Sequence, residues 1–160
     1  MGTVISFKRN ENGEIIICSE STANLRTEKG KSLLQSINEY TAIDIETTGL
    51  DTDFDEIIEL GAIHVKDGKA VAQYETLVNP QIELDDFIVE LTGITNDMIQ
   101  EAPTLEKVLP DFLEFIGDST VIGHNVNFDV NFVYDKAVRL LKRTFPNSFI
   151  DTMRLSRHLY

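Results

Sequence analysis

Three β-prone runs follow one another without a helix between them, and this order constrains the fold more than any other feature. The runs are Tyr40 to Ile45, Glu56 to Val65 and Ala70 to Val78. Asp67-Gly68, between the last two, is typical of a tight hairpin turn. Helical and strand patterns then alternate: helices near Asp85 to Leu91, Asn96 to Glu101, Thr104 to Ile116, Val126 to Arg143 and from Thr152, and short strands at Ser119 to Ile122 and Phe149-Ile150. This order predicts an α/β domain in which helices flank a mixed sheet.

Residues 1–39 differ from the rest in sequence pattern and in charge. We therefore interpret them as an N-terminal extension and residues 40–160 as one domain. Two β-prone runs flank Asn10-Glu11-Asn12-Gly13, which predicts a β-hairpin. A short helical pattern follows near Ser32 to Asn38. Residues 1–39 carry five basic and five acidic residues, whereas residues 40–160 carry nine basic and 22 acidic ones and hold all of the net charge of −13.

The negative net charge limits which partners the domain can bind. A polyanion binds most readily to a basic protein, so a domain of this charge that acts on nucleic acid needs bound cations and a local basic strip. The alternative is that the acidity only keeps the protein soluble. The single cysteine, Cys18, cannot form an internal disulfide, and no run is long and apolar enough to cross a membrane. A cytoplasmic protein without a membrane partner is therefore expected.

Basic residues are concentrated near the end of the sequence. Six of the nine in the domain lie within its last 25 residues: Lys136, Arg139, Lys142, Arg143, Arg154 and Arg157. They are expected to complement the dipole of a helix C-terminus. The alternative is that they contact phosphates or a polymerase partner.

Two acids occupy alternate positions in the first strand of the domain. Alternate side chains of a strand share a face, so Ile43 and Ile45 point to one side and Asp44 and Glu46 to the other. The alternative is an edge strand with a solvated face.

A third acid lies where a helix is expected to face the core. The stripe formed by Val126, Val130, Val133 and Ala137 places Asp129 at its core-facing edge. A carboxylate there is costly unless it is paired or binds a metal. The alternative is an acid of the first helical turn, favoured by the helix dipole. Together, Asp44, Glu46 and Asp129 suit Mg²⁺ or Mn²⁺, and two such ions can activate water for phosphodiester cleavage.

Two segments carry a family resemblance. Asp44 to Gly49 (DIETTG) resembles the first motif of the DEDD exonuclease superfamily, and Gly123 to Asp129 (GHNVNFD) resembles the second. The motifs occur in the family's order, with 83 residues from Glu46 to Asp129. The resemblance extends from Tyr40 to Tyr160 and is closest to epsilon-type proofreading exonucleases of bacterial DNA polymerase III.

The resemblance implies a ribonuclease-H-like fold and removal of nucleotides from a 3′ end. It implies that Asp44 bridges two metal ions, that Glu46 binds the first and that Asp129 helps to hold the second. It also implies that the backbone of Thr47, together with Thr92 and the region from Asn125 to Phe128, holds the terminal nucleotide. The implied partners are a single-stranded DNA 3′ end and a DNA polymerase subunit.

The resemblance is incomplete at the end of the sequence. The family's third motif supplies a general-base His or Tyr and a fourth Asp, whereas this sequence ends nine residues after Asp151. We therefore expect a domain that lacks its C-terminal part and cuts slowly or not at all. Two alternatives stay open: an RNA 3′-end exonuclease of the same superfamily, and a module that binds nucleic acid or a replication partner without cutting.

Overall fold

The computed structural model describes residues 3–9, 15–21 and 29–159. Its strands are β1 (Thr3–Arg9), β2 (Ile15–Ser21), β3 (Glu39–Thr47), β4 (Ile57–Lys66), β5 (Lys69–Leu77), β6 (Val121–Gly123) and β7 (Phe149–Asp151). Its helices are α1 (Asp86–Thr92), α2 (Asn96–Gln100), α3 (Leu105–Ile116), α4 (Asn127–Leu141) and α5 (Thr152–Leu159). Among the residues described, no helix is long and apolar enough to cross a membrane.

Five strands form one mixed sheet in the order β5-β4-β3-β6-β7. The β3–β4 and β4–β5 pairs are antiparallel, and the β3–β6 and β6–β7 pairs are parallel. Asp67 and Gly68 join β4 to β5 with positive φ angles of 50° and 74°, as a two-residue hairpin turn requires. The mixed sheet is confirmed. The edge-strand alternative for the acid-bearing strand is wrong, because β3 lies at the centre of the sheet.

The main core lies between the sheet and the helices α3 and α4. Ile43 and Ile45 of β3 are buried there, with Leu60 and Ala62 directly opposite them on β4. The helices contribute the remaining large buried side chains, among them Leu109, Phe112, Val130, Phe132 and Val133. This packing presses α4 against β3 and so fixes where the first turn of the helix meets the strand.

A smaller apolar cluster anchors α1 and α2. Ile88 and Ile99, one from each helix, pack around Ile58 of β4 together with Leu84 and Ile94. The loop that ends α1 is thereby tied to the strand next to β3.

The N-terminal extension contains an antiparallel pair, β1–β2, which confirms the hairpin. Its predicted turn, Asn10 to Gly13, lies outside the described residues. The helix predicted near Ser32 to Asn38 is wrong: Leu33 donates its N–H to Phe149 O (2.8 Å) and Phe149 donates to Lys31 O (2.9 Å). The segment is extended and runs parallel to β7 because the backbone groups at that sheet edge need hydrogen-bond partners.

Candidate active site

The two acids of β3 lie on the side of the strand away from the main core. Ile43 and Ile45 are buried, whereas Asp44 is exposed and Glu46 is half-buried. The strand therefore presents two neighbouring carboxylates on its accessible face, as its alternation requires.

Asp129 reaches the same part of β3 from α4. The parallel pairing of β3 with β6 involves only Thr41 and Ala42, so the C-terminal half of β3 has no strand beside it on that side. The Ile45 N–H donates to Asp129 Oδ1 (3.0 Å) instead. The donor lies between Asp44 and Glu46 in the chain, so the fold brings all three predicted acids to one place.

Burial dominates the protonation of Asp129. The side chain is almost fully buried, and this desolvation raises the pKa of its carboxyl to about 7. Hydrogen bonds from its own N–H and that of Ile45 oppose the rise in pKa, while repulsion from Asp44 and Glu46 adds to it. This carboxyl therefore holds its proton more readily than an exposed aspartate does.

A fourth acid, Glu59 of β4, belongs to the site and was missed by the sequence analysis. It lies directly opposite Glu46 in the antiparallel ladder, so both side chains project from the same face. Burial raises the pKa of both carboxyls. Repulsion from Asp44 and Glu59 raises the pKa of Glu46 further. Repulsion from Glu75 and Asp44 raises the pKa of Glu59 further. The detectable signal was an acid inside the apolar run Ile57-Ile58-Glu59-Leu60.

A groove of about 330 Å³ runs beside these acids across β3, β4 and β5. Asp44, Glu59 and Glu75 line it, together with Gly61, Ile63 and Gln73. Gly61 leaves the floor of the groove free of a side chain next to Asp44. The groove is large enough for part of a nucleotide, and its polar lining consists mainly of carboxylates.

The donor set fits a hard divalent cation. Carboxylate oxygens are the ligands that Mg²⁺ and Mn²⁺ prefer, and the mutual repulsion of these acids is what a bound cation relieves. No group of three or more His, Cys, Asp or Glu side chains in the described part of the chain is already arranged to hold a metal ion.

The predicted nucleotide-binding residues lie in three places. Thr47 continues β3 beyond Glu46, and its hydroxyl donates to Gly49 O (2.6 Å). Thr92 ends α1, where its hydroxyl donates to Ile88 O (2.8 Å) and accepts the Ile94 N–H (3.1 Å). Thr47 thus adjoins the acids, whereas the Thr92 hydroxyl is used within the turn that closes α1.

Asn125 and Phe128 lie at the start of α4. Asn125 is exposed and has a left-handed φ of 55°. Phe128 packs against Phe132 with ring centroids 4.8 Å apart and against the main core. The structure therefore gives Phe128 a packing role, and it leaves the side chain of Asn125 accessible just before α4.

Asp151 positions the loop before α4, a role the sequence analysis did not assign. Its buried Oδ1 accepts the N–H groups of Asn125 and Met153, each at 3.0 Å. The neighbouring Thr152 hydroxyl donates to Gly123 O (3.2 Å). The end of β7 thus holds the loop that carries the second motif. An Asp immediately before a helical pattern was the available signal.

Comparison with known proteins adds sequence relatives. Residues 41–160 match the RNase_T family, described as Exonuclease. The chain is 45% identical over 150 residues to the DNA polymerase III PolC-type of Caldanaerobacter subterraneus subsp. tengcongensis, covering 94% of this chain and 10% of that protein. It is 44% identical over 124 residues to the PolC-type polymerase of Bacillus subtilis, covering 76% and 8% respectively. The chain thus spans about a tenth of the length of these curated relatives.

Solved structures share the fold. Exonuclease X in complex with 5′-overhanging duplex DNA superposes with a TM-score of 0.58 at 30% identity, over 76% of this chain and 64% of that one. Exonuclease I in its complex with SSB-Ct gives a TM-score of 0.68 at 17% identity, over 78% of this chain and 30% of that one. These similarities confirm the ribonuclease-H-like arrangement predicted from the sequence.

Proposed function

Because the chain belongs to the exonuclease family, we propose that it removes nucleotides from DNA 3′ ends by metal-dependent hydrolysis, in a proofreading role. The observation that carries the proposal is the meeting of three acids at one point of β3. Asp129 is held there by the N–H of Ile45, the residue between Asp44 and Glu46 in the chain.

Asp44, Glu46 and Asp129 would hold two Mg²⁺ or Mn²⁺ ions. When bound, such a pair of ions activates a water molecule and stabilises the leaving oxygen of a phosphodiester. Glu59 lies close enough to raise the negative potential of the site, which favours cations over a bare phosphate.

The protein groups have separable roles in this proposal. Asp129 must lose its proton to hold a cation, and burial, which raises the pKa of its carboxyl to about 7, works against that loss. The backbone of Thr47 and the accessible Asn125 would contact the terminal nucleotide, while Phe128 would support the loop from the core side. Thr92 would approach the same nucleotide from the end of α1.

DNA is the substrate that the relatives favour. The PolC-type relatives are DNA polymerases, and exonuclease X was solved with duplex DNA. A proofreading role would place the chain in the bacterial cytoplasm, in contact with a polymerase subunit.

The test is shortening of a 5′-labelled single-stranded DNA oligonucleotide with excess protein, Mn²⁺ and long incubation. Those conditions also detect slow cutting. We expect a ladder of products shortened from the 3′ end with the wild-type chain, and none in EDTA or with Asp44→Ala. Glu83→Ala, which removes an exposed acid away from the site, is the matched control and should cut like wild type.

Two results would contradict the proposal. One is a wild-type chain that shortens no DNA, and the other is an Asp44→Ala variant that cuts at the wild-type rate. If the chain shortened an RNA oligonucleotide but not DNA, the proposed substrate would be wrong, and the proposed metal-dependent hydrolysis at a 3′ end would still hold.

A further inference from the structure

The loop between β3 and β4 is closed by its own hydrogen bonds. Thr48 N–H donates to Glu56 O and Glu56 N–H donates to the Thr48 hydroxyl oxygen, both at 2.9 Å. Asp55 accepts the Asp51 N–H (2.8 Å) and the Thr48 hydroxyl (3.2 Å). Residues 48–56 thus form a compact unit that begins within the first motif.

An ion pair between a buried lysine and a half-exposed glutamate ties this unit to α4. Lys136 is 1% exposed, and its Nζ lies 2.8 Å from Glu56 Oε2. This burial contradicts the alternative that Lys136 contacts phosphates. Lys136 and Glu56 also border a cavity of about 150 Å³. Close packing alone therefore does not hold this part of α4 against the loop.

The ion pair lies on the same face of α4 as Asp129. Seven residues separate Asp129 from Lys136, which is close to two full helical turns and about 10 Å along the axis. One face of the helix therefore contacts β3 and the loop that follows it at two points. Asp129 accepts the Ile45 N–H of β3, and Lys136 pairs with Glu56 at the end of the loop. Two such points fix both the rotation and the axial position of the helix relative to β3.

An ion pair with a buried lysine is a poor way to increase stability, because well-packed apolar side chains often serve as well or better. What it provides is one defined geometry for the two elements that it joins. We propose that the Lys136–Glu56 ion pair is a positioning device that sets how α4 is seated on β3, and so where Asp129 stands relative to Asp44 and Glu46. The proposal rests on the function proposed above.

Arg139 makes an instructive contrast. It also reaches the loop, at Asp53 Oδ1 (3.0 Å), but both side chains of that pair are exposed, whereas Lys136 is buried. Exposed ion pairs fix geometry weakly. Arg139→Met therefore serves as the matched control: it removes a charge from the same helix without removing the buried contact.

The experiment compares wild type, Arg139→Met and the double variant Glu56→Leu/Lys136→Met, which replaces the ion pair by apolar side chains. Three quantities are measured: the midpoint of thermal unfolding, the dissociation constant for Mn²⁺ alone, and kcat and KM for single-stranded DNA. We expect a double variant that folds but binds Mn²⁺ several-fold more weakly. Its kcat should fall by ~10–100-fold, the scale of a misplacement of about 1 Å, with KM within twofold of wild type.

A folded double variant with wild-type Mn²⁺ affinity would overturn the proposal. If the double variant does not fold, Glu56→Gln and Glu56→Ala decide, because position 56 is half-exposed. The Glu56→Gln variant keeps a hydrogen bond to Lys136 and should bind Mn²⁺ as tightly as wild type. The Glu56→Ala variant should bind Mn²⁺ more weakly. Equal Mn²⁺ affinities of these two variants would refute the positioning role of the ion pair. The Mn²⁺ measurement remains informative even if the wild-type chain cuts no DNA, so failure of the two proposals can be told apart.

Discussion

Replacing Asp129 by Asn should stabilise the metal-free protein, although Asp129 belongs to the proposed active site. Burial raises the pKa of this carboxyl from 3.8 to about 7. Between these two pKa values the folded protein keeps a proton on Asp129 that the unfolded chain has already released. The stability that the neutral carboxyl contributes is fully present below pH ~4 and is lost as the pH rises through about 7. Asn has no proton to lose and keeps an oxygen to accept the Ile45 N–H.

The size of the effect follows from the shift. One pKa unit corresponds to about 1.4 kcal/mol, so the full shift sets an upper limit of ~4 kcal/mol at pH 8.5. At pH 5 only about one unit separates the pH from the unfolded pKa, and the gain is ~1.5 kcal/mol. The gain should therefore grow by about 2–3 kcal/mol between pH 5 and pH 8.5.

Urea denaturation in EDTA at pH 5 and pH 8.5 measures this difference. Asp118→Asn, at an exposed position between α3 and β6, is the control and should show no gain that grows with pH. Adding Mn²⁺ at pH 8.5 should stabilise wild type and leave Asp129→Asn nearly unchanged. If Asp129→Asn were no more stable than wild type at pH 8.5, the Asp129 carboxyl would not have the raised pKa that its burial implies.

Two further substitutions test how the site is supported. Asp151→Ala leaves the Asn125 N–H and a second N–H without their acceptor, which should cost ~2–4 kcal/mol in chemical denaturation; Asp151→Asn keeps one acceptor oxygen and should lose less. Gly30→Ala would place a Cβ atom 1.8 Å from Asn147 O, an overpacking that costs ~1–3 kcal/mol. The Phe149 amide, which donates to this segment, should then exchange hydrogen faster than in wild type, and an unchanged exchange rate would count against the close approach.

The strands and the acids of β3 could be predicted because both follow from a period of two. Ile43 and Ile45 alternate with Asp44 and Glu46, and burial follows that alternation. The position of β3 in the sheet could not be predicted in the same way. A central strand with one accessible face and an edge strand with one solvated face give the same sequence pattern.

The wrong helix near Ser32 has a different cause. Its apolar residues, Leu33, Leu34 and Ile37, have helical spacing, but a segment this short forms a helix in isolation only weakly. Backbone hydrogen bonds to Phe149 at the edge of β7 outweigh that weak preference. Such competition depends on a strand more than 100 residues away, which local periodicity does not register.

Lys136 shows a similar limit. A lysine next to an apolar stripe is ordinarily expected at the surface, with its stem on the stripe and its charge in water. Its acidic partner is 80 residues earlier in the chain. Only the packing of α4 on β3 brings the two together, although the spacing of seven from Asp129 already placed both side chains on one helix face.

The acids that make this site costly are the same ones that make it suitable for a cation. Repulsion from Asp44 contributes to the raised pKa values of Glu46, Glu59 and Asp129, and burial contributes more to each. Both effects disfavour the ionised, metal-free site, and both are relieved when a divalent cation binds. The fold must therefore hold the carboxylates near one another against their repulsion. That requirement gives a physical reason for rigid support at both ends of α4, from Asp151 at its start and from the Lys136–Glu56 ion pair near its end.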